Sequence, residues 1–456
     1  MLKYIQKKKL LLLAGDMFLI YCAYLLSPII RFQIFFFEPL EGLGGFSIIL
    51  CIYLFCFYIA DLYNLDVRVK APRYIFNFFL ANVFSAGLGL FMFFFFPFIG
   101  FGRGIFAITV LITLFFTYTW RIFFELVFAK FLKRKQTIII VGAGKTGKEI
   151  YKVIKDDPTY KVLGFIDDNA ERLEAPYYLK ILGDYMALDK ITNNERIDQI
   201  VIAIKDIKNK ELFKKILNLK IRGVQVYDVP SFYEENLGKL HVEYLSDSWL
   251  MNIPIHGVRR NIYNTRIKRV IGTILSLIVL FITLPVILLT IIAIKMDSKG
   301  PVLFKQERIG LNGIPFEMVK FRTMKVGMEK DRTFAGKKDD PRITQVGRII
   351  RFFRIDELPE FWNVLRGDMN IFGPRALMKE EVEEFEQKIP YFSLRHFVRP
   401  GITGWAQVNY PHGATVEDAL EKLKYDLFYI KNLSPFLDFH IFLRTIRVVL
   451  FGKGAR

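Results

Sequence analysis

The first 134 residues contain four long apolar stretches that alternate with short polar loops. The stretches cover approximately residues 10–30, 46–60, 75–99 and 105–128. All but the second reach the ~20 residues that an α-helix needs to cross a bilayer. The first lacks the small-residue cleavage site of a signal peptide, so it is interpreted as a retained span. The pattern predicts a membrane domain of four spans over residues 1–134.

Basic residues mark one side of this predicted domain. Three lysines precede the first span, positions 68, 70 and 73 between the second and third spans are basic, and further lysines and an arginine follow the fourth. The two other loops hold only Arg31 and Arg103. Because loops rich in lysine and arginine stay in the cytoplasm, we expect the N-terminus and the chain after Lys135 to begin there.

Residues 135–247 alternate short β-type runs with helical stretches that carry lysine and glutamate. The runs cover residues 137–141, 161–166, 199–204 and 224–227. Strands that alternate with helices are typical of a parallel sheet. This order predicts an α/β domain of Rossmann type.

A glycine-rich turn follows the first of these strands. It carries Gly142, Gly144 and Gly147 in GxGxxG spacing, and Asp167 stands at the end of the second strand. In such a turn, backbone amides bind a diphosphate and the acid binds ribose hydroxyls. NAD or another nucleotide is therefore one candidate ligand. The alternative is that the glycines only permit a tight turn and close packing.

A linker over residues 248–265 leads to a further apolar segment, residues 270–294, with Pro285 past its middle. Basic residues stand on both sides of the segment, which assigns both ends to the same side of the membrane. Since proline bends a helix, the pattern predicts a re-entrant helix that enters one leaflet, breaks near Pro285 and returns to the cytoplasm. A kinked span that crosses the bilayer is the alternative, and it would place the residues after 295 outside the cell.

The composition agrees with a membrane protein, because 52% of the 456 residues are hydrophobic and 46 are phenylalanine. The formal charge of +19 favours a polyanionic partner. By charge alone that partner can be nucleic acid, anionic lipid or a phosphorylated substrate. The three cysteines lie in apolar segments, so neither a disulfide framework nor a zinc site is expected.

The C-terminal segment, residues 266–456, holds many cations around two neighbouring acids, Asp356 and Glu357. In phosphoryl transfer, one carboxylate of such a pair can attack phosphorus while its neighbour holds a divalent metal or takes a proton. Guanidinium and ammonium groups bind phosphate oxygens. The candidate phosphate ligands are Arg308, Lys320, Arg322, Arg375 and Arg399.

Two features near the acids have a second interpretation. Asp356 and Glu357 can also be the cap and first-turn acids of a helix that enters at Leu358. The preceding residues 348–355 fit either a short helix in the lipid headgroup plane or an amphipathic helix packed on the core.

These groups occur within specific short motifs. In order they are FKQERIG (304–310), KFRTM (320–324), DELP (356–359), WN (362–363), GDM (367–369), GPR (373–375) and RPGITGW (399–405). With this series the chain resembles the large monotopic phosphoglycosyl transferases, also called polyprenyl-phosphate sugar-1-phosphate transferases. The four spans and the Rossmann-like domain look like those of family members that initiate exopolysaccharide or O-antigen synthesis.

The resemblance implies a fold and a reaction. The fold is a membrane α-helical N-terminal bundle, an α/β Rossmann-like domain and a monotopic catalytic α/β domain whose re-entrant helix breaks at Pro285. The reaction transfers a hexose 1-phosphate from a UDP-sugar to undecaprenyl (polyprenyl) phosphate, releases UMP and uses Mg²⁺. Asp356 matches the nucleophile that forms a phosphosugar-aspartate. Glu357 matches the partner acid linked to the metal and to proton handling.

Further site residues follow from the same resemblance. Arg375 and Arg399 match phosphate-binding positions, and Asp426 matches a further acid near the site. Glu360 and Ala376 stand where the family often has Gln and Pro, which concerns only fine substrate contacts. The sequence does not specify which sugar is transferred.

The resemblance also implies partners and a location. The partners are a UDP-sugar, polyprenyl phosphate and membrane lipid; a nucleic-acid partner is not expected, and a homodimer remains open. The location is the bacterial inner membrane, with the catalytic domain on the cytoplasmic side.

Two other classes of protein fit parts of the chain. A membrane-bound NAD-dependent sugar-nucleotide dehydratase or epimerase would also join spans to a Rossmann domain, but it leaves residues 300–456 unexplained. A channel or transporter is disfavoured because charged residues are scarce inside the four spans, with Asp16 as the exception.

Overall fold

The architecture consists of two compact units, residues 1–228 and residues 229–456. A computed structural model describes residues 7–33, 43–65, 69–95, 103–132, 135–157, 159–168, 181–204, 209–242, 262–327, 340–411, 413 and 415–451. Apart from residues 262–265, the predicted linker lies outside the described residues.

Four apolar helices open the first unit. They are α1 (Lys7–Phe32), α2 (Leu43–Ile59), α3 (Pro72–Phe95) and α4 (Arg103–Leu132). Three stretches among the described residues of this unit are long and apolar enough to cross a membrane, namely Lys9–Phe32, Tyr74–Met92 and Gly104–Val127, whereas α2 offers the shorter Phe46–Ile59. The prediction of apolar helices near the N-terminus is confirmed, although residues 96–99 of the third predicted stretch lie outside the described part.

A buried ion pair joins the first and fourth helices. Arg121 donates from both Nη atoms to the two carboxylate oxygens of Asp16, at 2.7 and 2.8 Å, and from Nε to Tyr74 on α3. Both charged side chains are almost fully buried. A paired and hydrogen-bonded charge can lie in an apolar interior without an open ion path, so Asp16 is explained as a contact between helices.

The rest of the first unit is a five-stranded parallel sheet with helices. Its elements are β1 (Gln136–Val141), α5 (Lys145–Ile154), β2 (Tyr160–Ile166), β3 (Ile181–Gly183), α6 (Ala187–Asn194), β4 (Gln199–Ile202), α7 (Lys210–Ile221) and β5 (Gln225–Asp228). The strand order is β3-β2-β1-β4-β5. This confirms the predicted parallel α/β domain and adds β3, whose three residues were not predicted. The order reverses between β1 and β4, where ligands of such sheets usually bind.

The second unit begins directly after β5. A helical turn, α8 (Val229–Phe232), and a π-helical turn (Tyr233–Leu237) lead to Leu240 and Val242, which are buried in the core that also contains Trp405. Leu240 N donates to Lys424 O, and Trp405 Nε1 donates to Gly238 O. Residues 229–242 therefore pack with the C-terminal unit, whereas the sequence analysis placed the end of the Rossmann-like domain at residue 247.

A long apolar helix, α9 (Lys268–Asp297), follows and contains Pro285. Its middle is exposed, with Phe281 79% accessible, whereas Gly272 and Ser276 near its start and Thr290 and Ile294 near its end are buried. Both ends of α9 therefore pack against other parts of the same unit.

Four strands and six α-helices follow α9 among the described residues of the second unit. They are β6 (Leu303–Ile309), β7 (Pro315–Phe321), α10 (Gln345–Phe352), α11 (Glu360–Arg366), β8 (Asn370–Phe372), α12 (Lys379–Lys388), β9 (Gly401–Thr403), α13 (Trp405–Asn409), α14 (Val416–Lys431) and α15 (Pro435–Phe451). β6 and β7 form an antiparallel hairpin, and β8 pairs with β9 in parallel. The aromatic side chains of Phe392, Trp405, Phe428 and Tyr429 form part of the main core.

Candidate active site

Asp356 and Glu357 lie in a short 3-10 turn, Ile355–Glu357, between α10 and α11. Arg354, just before the turn, has φ 57° and ψ 23°, a left-handed conformation that costs a non-glycine residue about 1–3 kcal/mol. Backbone strain of this kind is often found at functional sites. Pro359 occupies the N-cap position of α11, so neither acid caps that helix.

Three cations surround one oxygen of Glu357. Arg375 Nη2, Arg354 Nη1 and Lys320 Nζ lie 3.3, 3.6 and 3.7 Å from Glu357 Oε1. Burial by itself raises the pKa of the Glu357 carboxyl, but the three cations outweigh burial and hold this pKa at about 2. Glu357 is therefore a carboxylate at any physiological pH.

The neighbouring Asp356 has the opposite shift. Burial, followed by the negative charge of Glu357, raises the pKa of Asp356 to about 6, while Lys320 and Arg351 act against these effects. Arg351 is held by a hydrogen bond of 2.8 Å from its Nε to Thr323 Oγ1. A carboxylate with a raised pKa is more basic than a free aspartate and keeps its charge near neutral pH.

Lys320 is held by a third acid that the sequence analysis did not select. Glu360 at the start of α11 is 2% exposed, and its Oε1 lies 2.8 Å from Lys320 Nζ. Burial raises the pKa of Glu360, and Lys320 acts in the opposite direction. In the sequence, Glu360 is noticed only as the residue after the DELP motif, where the family often has Gln. Glu360 fixes the ammonium group between two carboxylates.

Asn363 ties α11 to the strand that carries Lys320. Its Oδ1 accepts a hydrogen bond from Val319 N at 3.0 Å, and its Nδ2 donates to Glu317 O at 2.6 Å. A side-chain amide that both accepts from and donates to the backbone of one strand fixes the distance between α11 and that strand. The WN motif therefore has a structural role beside the site.

Arg375 belongs to a loop that lies closely on β9. Gly373 N donates to Thr403 O and Gly401 N donates to Pro374 O, each at 2.9 Å. A Cβ atom on Gly373, Gly401 or Gly404 would collide with backbone atoms across this contact. The glycines of the GPR and RPGITGW motifs thus allow two backbones to approach each other.

Arg308 and Asp426 lie close to this loop and are already paired. Arg308 Nη1 donates to Ala376 O at 3.4 Å and lies 3.5 Å from Glu381 Oε2. Asp426 accepts a hydrogen bond of 2.9 Å from Arg395, a residue that the sequence analysis did not select. Burial raises the pKa of Asp426 to about 6 in spite of Arg395.

The two remaining candidate phosphate ligands contact other parts of the unit. Arg322 Nη2 donates to both oxygens of Ser298, at 2.8 Å each, just after α9. Arg399 Nε donates to Gly367 O at 3.0 Å, at the C-terminal end of α11. These described contacts place Arg322 and Arg399 beside α9 and α11, whereas Lys320 and Arg375 lie beside the acids.

The acids fit a magnesium ion only together with substrate oxygens. Among the described residues, no cluster of three or more Asp, Glu, His or Cys side chains can hold a metal. Mg²⁺ is commonly bound by one or two carboxylates plus phosphate oxygens and water. Three cations already approach Oε1 of Glu357, which leaves few carboxylate oxygens for a metal. The two acids therefore suit a Mg²⁺ ion that is also bound by the diphosphate of a substrate.

The glycine-rich turn of the first unit is largely explained by packing. Gly142 has φ 106°, and a Cβ on Gly147 would collide with Gly142 O, whereas a Cβ on Gly144 would meet nothing within 4 Å. Asp167 Oδ2 accepts a hydrogen bond of 2.8 Å from Ala143 N. The acid predicted to bind ribose therefore contacts the turn itself.

Two family models match the chain. Residues 263–452 match the bacterial sugar transferase family, and residues 58–230 match a CoA-binding domain family. The first match contains all the motifs around Asp356 and Glu357. The second contains the parallel sheet and the two helices before it, α3 and α4.

Curated proteins from several bacteria are similar to the chain. A UDP-N-acetylgalactosamine-undecaprenyl-phosphate N-acetylgalactosaminephosphotransferase of Aeromonas hydrophila is 36% identical over 57% of this chain and 61% of its own length. A UDP-glucose:undecaprenyl-phosphate glucose-1-phosphate transferase of Klebsiella pneumoniae is 31% identical over 70% of this chain and 69% of its own length. An uncharacterized sugar transferase of Bacillus subtilis is 40% identical over 42% of this chain and 90% of its own length.

The extent of these matches differs between the relatives. The chain spans 61% of the length of the Aeromonas relative and 58% of that of a similar Xanthomonas campestris transferase. The Klebsiella match includes residues beyond the catalytic segment, because it covers 328 residues. On the strength of that match and of the motifs around the two acids, the chain belongs to the bacterial sugar transferase family.

Proposed function

We propose that this protein transfers a hexose 1-phosphate from a UDP-sugar to polyprenyl phosphate, and so initiates the repeat unit of an exopolysaccharide or O-antigen. The observation that carries the proposal is the pair Asp356 and Glu357, whose carboxyl pKa values are shifted in opposite directions. Lys320 and Arg375 lie within 4 Å of Glu357. One acid is basic enough to attack, and the other is a permanent anion among cations that suit a diphosphate.

The reaction proceeds in two displacements at phosphorus. A carboxylate oxygen of Asp356 attacks the β-phosphorus of the UDP-sugar, and the bond from that phosphorus to the bridging oxygen breaks. UMP leaves with the bridging oxygen, and the sugar phosphate remains on Asp356 as an acyl phosphate. A phosphate oxygen of polyprenyl phosphate then attacks the same phosphorus and releases the Asp356 carboxylate. The product is a polyprenyl diphosphate sugar.

The cations stabilise the charge that these steps move. Lys320 and Arg375 lie where negative charge develops on the phosphoryl oxygens, and such prearranged charges lower the barrier most in a partly dry site. Glu357 is the residue that would hold Mg²⁺, which supplies further positive charge at the diphosphate when bound.

The second unit supports a re-entrant membrane helix. Asp297 at the end of α9 accepts from Val346 N on α10 at 3.2 Å, and Lys268 at its start lies 3.2 Å from Asp438 on α15. The exposed middle of α9 is apolar over the length needed to enter lipid. Because both ends belong to one folded unit, we infer that both lie at the cytoplasmic face of the bacterial inner membrane.

The helix before the acids supports a site at the lipid surface. Ile349, Phe352 and Phe353 are exposed on or just after α10, while Ile350 packs with Ile294 and Phe321. Exposed aromatic side chains beside a membrane helix suit the headgroup region. The polyprenyl phosphate would then reach Asp356 without leaving the bilayer.

The sugar and the ligand of the first unit are open parts of the proposal. The named relatives act on UDP-N-acetylgalactosamine or UDP-glucose, which favours a hexose donor. NAD or another nucleotide at Gly142, Gly144, Gly147 and Asp167 stays a prediction. The relatives are sugar phosphotransferases, so the alternative of a dehydratase or epimerase is not supported.

The decisive experiment measures UMP release from a panel of UDP-sugars by the full chain in detergent with Mg²⁺ and polyprenyl phosphate. We expect release with at least one donor and loss of at least about 10³-fold in Asp356→Asn, because an amide cannot form the acyl phosphate. Glu384→Gln, an exposed acid of the same unit paired with Lys388, is the control and keeps full activity. Unchanged turnover in Asp356→Asn would rule out the nucleophile.

A further inference from the structure

The buried Arg395 and the half-buried Arg308 donate to consecutive carbonyl groups at the end of the GPR motif. Arg395 Nη2 donates to Arg375 O at 3.0 Å, and Arg308 Nη1 donates to Ala376 O at 3.4 Å. The first arginine comes from the 3-10 turn Phe392–Phe397 and the second from β6. The backbone of Arg375 and Ala376 is therefore held from two different elements.

Each of these arginines is oriented by an acid on a helix. Asp426 on α14, 2% exposed, accepts from Arg395 Nη2 at 2.9 Å. Glu381 on α12 lies 3.5 Å from Arg308 Nη1, and its Oε2 also accepts from Met378 N at 2.9 Å. The pair of Arg395 and Asp426 is buried, so removal of one partner leaves an uncompensated buried charge. The pair of Arg308 and Glu381 is partly exposed and is fixed by the additional hydrogen bond to Glu381.

The other side of the same loop is held by backbone hydrogen bonds. Gly373 and Pro374 bond to β9, as described above, and these contacts end immediately before Arg375. The carbonyl contacts of Arg395 and Arg308 begin at Arg375. The main chain is thus fixed on both sides of the residue whose Nη2 lies 3.3 Å from Glu357 Oε1.

We propose that Arg395 and Arg308, together with Asp426 and Glu381, are positioning residues that fix the backbone of Arg375 and do not bind substrate phosphate. The inference rests on the proposed function only for the role of Arg375. It assigns Arg308 and Asp426 a different role from the one expected from the sequence.

The contacts favour a positioning role over phosphate binding. Arg308 uses Nη1 for Ala376 O and Nη2 for Gln306 Oε1, the latter at 2.6 Å. Arg395 is 6% exposed, and its guanidinium lies 5.0 Å from the centre of the Phe392 ring. A phosphate ligand needs an accessible planar fork, and these two guanidinium groups are already neutralised by acids and bonded to the backbone.

The kinetic test compares Arg395→Lys, Asp426→Asn and Arg308→Lys with Lys388→Gln, an exposed surface control. A backbone displacement of about 1 Å at a catalytic group costs about 10²-fold in rate, so we expect kcat for UMP release to fall about 10- to 100-fold in the three variants. The KM for the UDP-sugar and the Kd for UMP should change less than about threefold, because the phosphate ligands remain. A tenfold rise in the Kd for UMP with unchanged kcat would make the residue a phosphate ligand and overturn the proposal.

A second measurement does not depend on activity. Hydrogen exchange of residues 373–378 should accelerate in Arg395→Lys and Asp426→Asn, while exchange in α14 and in the control variant stays unchanged. Unaltered exchange in this loop would contradict the positioning role even if the variants were inactive. If the unmodified protein released no UMP from any donor, the proposed function would fail, and the exchange result would still decide whether these arginines hold the loop. General acceleration across the unit would show a purely structural role and reject the proposal.

Discussion

Asp356 and Glu357 are neighbours in the chain, yet their carboxyl groups have pKa values shifted in opposite directions, to about 6 and about 2. Burial acts on both in the same direction, so the difference comes from the cations around Glu357 and from the negative charge that Glu357 places beside Asp356. Arg375, Lys320 and Arg354 all approach Glu357 within 4 Å. Environments that separate two carboxyl pKa values usually assign the groups different chemical roles.

Lys320 should be the most important single cation for the stability of the site. In Lys320→Met, the buried Glu360 and the half-buried Glu357 lose their shared cation, which should lower the free energy of unfolding by about 3–5 kcal/mol. Adding Glu360→Gln removes one stranded charge and should recover a large part of this loss. Denaturant unfolding of the variants measures both effects.

The matched control for this prediction is Lys305→Met on the same hairpin. Lys305 and Glu317 are exposed partners at 3.0 Å, and breaking an exposed pair costs about 0–1 kcal/mol. If Lys305→Met destabilised the protein as much as Lys320→Met, the special role of Lys320 would be refuted.

The loop that carries Arg375 should not tolerate a methyl group at Gly401. A Cβ there would collide with Gly373 N, so Gly401→Ala should cost about 1–3 kcal/mol of stability and lower UMP release. Gly272→Ala is the comparison, because its Cβ would lie 3.6 Å from Val364 Cγ1, an ordinary contact. Thermal unfolding and turnover of the two variants check this, and equal behaviour would show that the close backbone contact is dispensable.

His241 should contribute less to the stability of the second unit as the pH falls below neutrality. Burial, together with the charge of Lys424, lowers the pKa of His241 from 6.5 to about 4. Between these values the unfolded chain binds a proton at this histidine that the native protein does not, so its contribution is full above about pH 6.5 and decreases toward pH 4. The contribution of one such histidine is at most about 3 kcal/mol.

His241→Gln should therefore remove the loss in unfolding temperature that the unmodified protein shows at this site as the pH falls from 7 to 4.5, so the slope of unfolding temperature against pH should change. Lys388→Gln, an exposed surface substitution, should keep the slope of the unmodified protein. An identical slope in His241→Gln would show that this histidine is not protonated on unfolding.

The topology of α9 is tested by a cysteine at Lys299, in a chain whose three native cysteines are replaced by alanine. With both ends of α9 on the cytoplasmic side, an impermeant maleimide added to intact cells should not label Lys299→Cys until the membrane is permeabilised. Gln33→Cys, at the end of α1, should be labelled from outside by the positive-inside rule. Labelling of Lys299→Cys in intact cells would make α9 a crossing helix and place Asp356 away from nucleotide substrates.

Sequence reasoning found the groups that are defined by local patterns. The apolar helices follow from length and hydrophobicity, and the parallel sheet follows from the alternation of strands and helices. Short motifs contain the two acids and the two cations of the site. In the structure, Lys320 Nζ and Arg375 Nη2 lie within 4 Å of Glu357 Oε1, and Asp356 is the neighbour of Glu357 in the chain. β3 was missed because three residues carry too little periodicity.

Other residues gave no signal because their roles depend on tertiary contacts. Arg395 lies in a stretch without repeated spacing, and only the fold shows that it lies beside Arg375 O. Glu360 appeared as a departure from a familiar motif, although it is the closest acid to Lys320. Arg308 and Arg322 are of the residue type that binds phosphate. The described partners of Arg308 are Ala376 O, Gln306 and Glu381, and that of Arg322 is Ser298, which charge patterns do not reveal.

The packing of residues 229–242 determines where the C-terminal unit can be separated from the rest of the chain. Residues 231–262 belong to neither matched family segment, yet Gly238 and Leu240 contact Trp405 and Lys424 inside the unit that holds Asp356. A polypeptide cut immediately before Tyr263 would keep every motif and remove the acceptor of the hydrogen bond from Trp405 Nε1, together with the buried side chains of Leu240 and Val242. The border drawn by homology is thus not the border at which this protein can be divided.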